Sequence, residues 1–145
     1  MIESHKLKNR DTYLNKLIGF QDTEPVKIIT GIRRCGKSTL LQLYQAYLRE
    51  QGVAADQIIA INFEELEYED LLDYKALYAY VKDRLHKTRT TYVFLDEIQQ
   101  VENFQKAVDS LYVKDRVDVY ITGSNAYLLS GELATLLSGR YVEIN

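Results

Sequence analysis

The chain has 145 residues, of which 46% are hydrophobic and 27% are charged. This length suits one domain, and the composition excludes a collagen-like, disordered or disulfide-rich chain. Cys35 is the single cysteine, so no internal disulfide can form and a reducing compartment is expected. The net charge of −3 disfavours a globally basic nucleic-acid binder. Because no apolar run approaches the roughly 18 residues of a membrane span and the N-terminus has no apolar signal region, we expect a cytoplasmic protein without a membrane partner.

Short β-rich segments alternate with amphipathic helical patterns, which is typical of parallel strands joined by helical crossovers. The pattern predicts strands at Val26–Thr30, Ile58–Phe63, Tyr92–Leu95, Val117–Thr122 and Tyr141–Ile144. It predicts helices at residues 11–19, Lys37–Glu50, Leu71–Leu85, Asn103–Val113 and Leu128–Leu137. Strands and helices in this alternation predict an α/β fold of three layers. The spatial order of the strands does not follow from periodicity.

The segment Gly31–Ser38 reads GIRRCGKS and matches the phosphate-loop pattern G-x-x-x-x-G-K-[ST]. It follows the first predicted strand and opens an amphipathic helix, as such a loop requires. Backbone N–H groups and the helix dipole would cradle phosphates, Lys37 would reach the β- and γ-phosphates, and the Ser38 hydroxyl would ligate Mg²⁺. For the side chains of Arg33 and Arg34, contact with phosphate, a partner or only solvent stays open. The candidate nucleotide-binding residues are Gly31, Ile32, Arg33, Arg34, Cys35, Gly36, Lys37, Ser38 and Thr39.

The segment Thr91–Glu97 (TYVFLDE) is an apolar strand that ends in two carboxylates. An aspartate at the tip of a strand beside a phosphate loop can hold Mg²⁺, so Asp96 is the second candidate metal ligand. A glutamate directly after it can orient and deprotonate an attacking water. A kinase passes the phosphoryl group to a second substrate and has no use for such a glutamate, so Glu97 favours hydrolysis.

These motifs together resemble the AAA+ ATPases, which are P-loop NTPases with an additional strand and a catalytic glutamate. The resemblance is strongest to a prokaryotic group of AAA-domain ATP-binding proteins and covers nearly the whole chain. Outside the phosphate loop it rests on Arg10, Tyr13, Leu14, Leu95–Gln99, Ile121–Asn125 and Ser138–Arg140. It implies a three-layer αβα P-loop NTPase sandwich, with a five-stranded parallel sheet in the order 5-1-4-3-2. It also implies a site at the carboxyl ends of the strands.

The resemblance implies roles for residues that would otherwise be interpreted as turn or surface residues. Asn125, with Ser124 as the second choice, would help to position the attacking water. Arg140 would sense the γ-phosphate in its own chain or in a neighbouring copy, and a surface arginine is the alternative. Asn62 at the end of the second strand would hold the catalytic glutamate inactive, although an ordinary strand-end asparagine is the interpretation that we favour.

The sequence therefore predicts Mg²⁺-dependent binding and hydrolysis of ATP, with residues 1–25 as a helical lead-in to the core. The resemblance implies a helical lid and a further domain beyond Asn145, so we expect residues 1–145 to be the nucleotide-binding core of a larger ATPase. The lid, that further domain and other copies of the chain are the expected partners besides ATP. A small-molecule or nucleotide kinase and a non-hydrolysing regulatory or interaction module are the alternatives. Nucleic acid stays open as a partner, because AAA+ relatives often act on DNA but this sequence has no clear basic face.

Overall fold

The computed structural model describes residues 12–23, 26–29, 34–123 and 141–144, with the backbone alone at 34, 35 and 141–144. The strands are β1 (Val26–Ile29), β2 (Ile58–Asn62), β3 (Thr91–Asp96), β4 (Val117–Thr122) and β5 (Tyr141–Ile144). The helices are α1 (12–19), α2 (Arg34–Glu50), α3 (Tyr74–Arg84) and α4 (Phe104–Tyr112). Short 3₁₀ turns lie at Ala55–Gln57, Leu66–Leu72 and Ile98–Gln100. The predicted helix at Leu128–Leu137 lies outside the described residues.

The strands form one parallel five-stranded sheet in the order β2-β3-β4-β1-β5. Taken from the other edge this is 5-1-4-3-2, so the order implied by the family resemblance is confirmed. β1, β3 and β4 each lie between two neighbouring strands, and every residue of β1 and β3 is buried. A strand that is covered on both faces needs apolar residues on both sides, which explains why these segments show continuous apolar runs rather than alternation.

Helices cover both faces of the sheet and bury one apolar cluster on each. α1 and α2 pack on one face, where the cluster contains Leu17, Ile29, Leu40, Leu41, Tyr44, Leu48, Tyr92, Phe94 and Tyr120. α3 and α4 cover the other face, where Leu77, Val81, Phe104, Val108 and Leu111 pack against Ile28, Val93, Val119 and Ile121. The three-layer prediction is confirmed. Within the described part of the chain, no helix has both the length and the apolar character needed to cross a bilayer.

Most predicted boundaries agree with the structure to within one residue, but two helices begin elsewhere. α2 begins at Arg34 rather than at Lys37. Gly36 does not delay it, because one glycine in a helix costs only about 1 kcal/mol relative to alanine. α3 begins at Tyr74 rather than near Leu71, because the Asp73 carboxylate accepts a hydrogen bond from the Ala76 N–H at 3.1 Å and caps the helix there.

Candidate functional site

The polar residues singled out in the sequence meet where the first turn of α2 faces the carboxyl ends of β3 and β4. Lys37 is only 5% exposed there. Its Nζ donates a hydrogen bond to the Gly123 carbonyl at 2.7 Å and lies 3.8 Å from Oε1 of Glu97. The ammonium group of the phosphate-loop motif therefore lies beside the other two motifs, the end of β3 at Glu97 and the end of β4 at Gly123.

Asp96 ends β3 with both carboxylate oxygens occupied by hydroxyl donors. The Ser38 hydroxyl donates to Oδ2 at 2.6 Å, and the Thr122 hydroxyl donates to Oδ1 at 2.5 Å. Asp96 is 6% exposed and Thr122 is fully buried. These bonds hold the carboxylate at the tip of the strand, beside the first turn of α2.

The donor set at Ser38 and Asp96 fits Mg²⁺. Hydroxyl and carboxylate oxygens are hard ligands, and Mg²⁺ is usually held by one or two protein oxygens together with phosphate oxygens and water. Among the described residues, no cluster of three or more His, Cys, Asp or Glu side chains could hold a metal ion. A Mg²⁺ ion at this place would therefore depend on the phosphates for part of its ligand shell.

Glu97 leaves the line of β3 in a left-handed conformation, with φ 60° and ψ 49°. This conformation costs a residue other than glycine on the order of 1–2 kcal/mol. A hydrogen bond from the Glu97 N–H to the Thr122 hydroxyl at 3.0 Å holds the backbone in it. The carboxylate is 6% exposed, and its Oε2 accepts a hydrogen bond from the Gln99 amide at 2.6 Å. The turn therefore places the carboxylate next to Lys37 rather than on a strand face.

Sequence reasoning missed the roles of Thr122, Gly123 and Gln99. The Thr122 hydroxyl bonds to both Asp96 and Glu97, so it joins the two acidic positions to β4. A buried hydroxyl at a strand end is expected to find a partner. The sequence signal was thus present in the Ile121–Asn125 motif, but the partner became evident only once β3 and β4 were known to be neighbours.

The predicted site residues fall into three groups. The structure brings together Lys37, Ser38, Asp96 and Glu97, and it places Gly36 and Thr39 beside them in α2. Arg34 and Cys35 contribute backbone to the first turn of α2. Outside the described residues lie Gly31, Ile32, Arg33, Ser124, Asn125 and Arg140.

Asn62 and a neighbouring cleft also lie at the carboxyl ends of the strands, which we call the carboxyl edge of the sheet. The Asn62 side-chain oxygen accepts a hydrogen bond from the Glu64 N–H at 3.0 Å, so it stabilises the turn after β2 as an ordinary strand-end asparagine does. A cleft of about 210 Å³ opens beside the site, and its lining includes Ser38, Asn62, Glu65 and Asp96. The cleft gives the Ser38–Asp96 pair access from the side of β2.

The chain matches known families and proteins over most of its length. A family described as AAA domain matches residues 23–145. An uncharacterized protein of Haemophilus influenzae is 49% identical over 142 residues, which cover 97% of this chain and 36% of that protein. An uncharacterized protein of Methanocaldococcus jannaschii is 37% identical over 137 residues, which cover 93% and 28% of the two chains. The chain thus spans about a third of the length of these relatives.

Solved structures share the fold at low sequence identity. A DNA polymerase III gamma subunit-related protein of Thermotoga maritima has a TM-score of 0.64 at 12% identity, covering 91% of this chain and 45% of that one. A chain of the Drosophila ORC complex with AT-rich DNA and Cdc6 has 0.63 at 12%, covering 97% and 55%. PCH-2 of C. elegans has 0.53 at 12%, covering 99% and 42%. At such identity these matches show the fold alone.

Proposed function

We propose that this chain, which belongs to the AAA domain family of P-loop ATPase domains, binds ATP with Mg²⁺ and hydrolyses it at the γ-phosphate. Glu97 would act as the general base for the attacking water. Family membership already makes it a nucleotide-binding domain of the ATPase type. The observation that carries the finer proposal is the convergence of Lys37, Ser38 and the Asp96–Glu97 pair at one edge of the sheet.

Lys37 is suited to exchange its present acceptor for phosphate. Its ammonium group carries three donors, and the Gly123 carbonyl that it contacts is a neutral acceptor. An anionic phosphate oxygen adds a direct attraction between opposite charges that the neutral carbonyl lacks, so a phosphate would compete well for these donors. Backbone N–H groups of residues 31–39 would bind the other phosphate oxygens at the positive end of the α2 dipole.

Ser38 and Asp96 would hold Mg²⁺, and their oxygens already lie within hydrogen-bond distance of each other. When bound, the ion supplies positive charge against the charge that builds on the phosphate oxygens. Thr122 keeps the Asp96 carboxylate in place through its own hydroxyl. The protein therefore needs little reorganisation at this position when nucleotide binds.

Glu97 would accept the proton of the attacking water while Lys37 neutralises the phosphoryl oxygens. Its burial keeps bulk water away from the carboxylate, and its 3.8 Å separation from Lys37 leaves the two groups outside hydrogen-bond distance. We propose that Asn125 or Ser124 helps to position the water. We further propose that Arg140 contacts the γ-phosphate, either within the chain or from a neighbouring copy.

The test measures ATP and GTP binding with Mg²⁺ by titration calorimetry and follows phosphate release in the same samples. Glu97→Gln should keep ATP affinity within about threefold and slow phosphate release by about 100-fold or more, since that is the usual contribution of a general base. The matched control is Glu102→Gln, an exposed carboxylate five residues further on, which should behave as the parent.

Three results would contradict the proposal. Absence of ATP binding by the parent chain would remove the nucleotide site. Phosphate release by Glu97→Gln at the parent rate would show that Glu97 is not the base. Phosphate appearing on an acceptor molecule rather than in solution would identify a kinase.

A further inference from the structure

Gln99 contacts the proposed general base directly. It lies in the short turn Ile98–Gln100 that follows β3, and its Nε2 donates to Oε2 of Glu97 at 2.6 Å. Only the amino end of the amide can face a carboxylate at this distance, because the amide oxygen would repel it. The orientation of the Gln99 amide is therefore set by Glu97.

In this orientation the other end of the amide, the Gln99 Oε1 atom, is buried and accepts no hydrogen bond from the residues that the structure describes. A buried polar atom without a partner is destabilising, and folded proteins rarely contain one without a functional reason. The amide keeps its contact with Glu97 even though its own oxygen is unsatisfied, so the contact serves the carboxylate rather than Gln99.

The contact also makes the two oxygens of Glu97 different. Oε2 is occupied by Gln99, whereas Oε1 faces Lys37 at 3.8 Å, which is too far for a hydrogen bond. Lys37 marks the side on which the γ-phosphate would lie. The oxygen left available to a water molecule is thus the one directed toward the phosphate.

We propose that Gln99 is a positioning residue for hydrolysis, which holds Oε2 of Glu97 so that Oε1 accepts the proton of the attacking water. The inference rests on the proposed function, since it assigns a task to Glu97. A glutamate side chain has three rotatable bonds, and a base that is misplaced by about 1 Å loses on the order of 100-fold in rate. The left-handed turn fixes the backbone of Glu97, and the hydrogen bond from Gln99 restrains its carboxylate.

The test compares Gln99→Met, which keeps the length of the side chain and removes the amide, with Gln100→Met. Gln100 is exposed in the same turn and is the matched control. Gln99→Met should lower kcat for phosphate release roughly 10- to 100-fold and leave the Kd for ATP within about twofold. Gln99→Asn keeps the amide on a shorter side chain and should recover part of the lost rate.

A double-mutant cycle separates positioning from general damage to the fold. In the Glu97→Gln background, Gln99→Met should lower the residual rate no further, because Gln99 acts only through the carboxylate of Glu97. An equal loss in both backgrounds, or a thermal midpoint lowered in parallel with kcat, would show a structural role and overturn the proposal. A parent-like rate for Gln99→Met would overturn it as well, and so would a faster rate, which would show that the contact with Gln99 inhibits Glu97.

Failure of this inference is distinguishable from failure of the proposed function. If the parent chain releases phosphate and Glu97→Gln does not, hydrolysis by Glu97 stands whatever Gln99→Met does. If the parent chain releases none, both proposals fall together before any Gln99 variant is compared.

Discussion

Lys27 and Lys37 are both buried beside a carboxylate, but at opposite ends of the parallel strands. Lys27, near the start of β1, is fully buried and donates to Asp118 at 2.5 Å and to the Thr23 carbonyl at 2.6 Å. Lys37, beyond the carboxyl end of β1, donates to a neutral carbonyl and stands 3.8 Å from Glu97. The first lysine is hydrogen-bonded to its acid, and the second is only within ion-pair distance of its own.

The surroundings of Lys27 form a closed network. Asp118 Oδ2 also accepts hydrogen bonds from the Asp22 N–H at 2.9 Å and from the Tyr120 hydroxyl at 2.7 Å. Tyr120 shares a further hydrogen bond with the Tyr44 hydroxyl. Burial raises the pKa of Asp118, and the charge of Lys27 and these hydrogen bonds oppose the rise. The polar atoms of this network bond to one another, which indicates a structural role.

Cleft size alone would favour the end of the sheet opposite the proposed site. A cleft of about 430 Å³ lies beside Asp22, Arg116 and Asp118, and it is larger than the cleft at Ser38 and Asp96. The buried cation at that end, Lys27, is nevertheless already hydrogen-bonded to Asp118 and to the Thr23 carbonyl. At the other end Lys37 lies in the first turn of α2, and among the described residues its hydrogen bond goes to a neutral carbonyl, while Glu97 stands 3.8 Å away. A helix N-terminus with such a lysine favours an anionic ligand.

The largest expected effect on stability is that of Lys27→Met. The substitution leaves Asp118 buried without its cation, and breaking such a pair costs about 3–5 kcal/mol. Urea denaturation should show this loss in the free energy of unfolding, while the folded fraction still binds ATP. Lys82→Met on the exposed side of α3 is the control. A loss under about 1 kcal/mol would mean that the network does not stabilise the fold.

Lys37→Met is the matched change at the other end and should have the opposite profile. The nucleotide-free chain loses one hydrogen bond to a carbonyl and a 3.8 Å ion pair with Glu97, which keeps its hydrogen bond from Gln99, so its free energy of unfolding should fall by only about 1–2 kcal/mol. ATP affinity should fall by roughly 100-fold, because the substitution removes the buried cation that we propose to contact phosphate. Calorimetry and urea denaturation on the same preparation test both statements. An unchanged affinity for ATP would show that Lys37 does not bind the nucleotide.

The smallest effect concerns alkaline pH. The pKa of Tyr92 is raised to about 12, mainly by burial; Asp22 and Asp118 add to the rise, and the hydrogen bond with Gln21 opposes it. An unfolded tyrosine titrates near 10, so between pH 10 and 12 the unfolded state binds fewer protons and stability falls as pH rises. Below pH 10 this contribution to stability is fully present.

Tyr92→Phe should therefore flatten the alkaline fall in the free energy of unfolding between pH 10 and 11. It should also cost about 1 kcal/mol at pH 8, because the hydrogen bond from the Tyr92 hydroxyl to Asp22 is lost. The parent chain is the reference for this slope. A slope equal to that of the parent would show that burial does not raise the pKa of Tyr92 in the folded protein.

Much of the fold and part of the site follow from local sequence. The glycine spacing and Lys37–Ser38 predict a phosphate loop from the sequence alone, and the apolar run before Asp96 predicts a buried strand with acids at its tip. The order of the strands needed the family resemblance, because periodicity describes one segment at a time. The turn at Glu97 was not predictable, since a left-handed glutamate has no sequence signal comparable to that of glycine.

Contacts between distant segments were decided by the tertiary structure alone. In the sequence, Lys27 is one polar residue within an apolar strand, and its partner Asp118 lies 91 positions further along the chain. Thr122 reaches Asp96 across 26 positions, only because β4 lies beside β3. Spacing along a chain determines which residues share a helix face or a strand end. Which strand ends become neighbours depends on how the whole sheet buries its apolar surface, and that is a property of all the segments together.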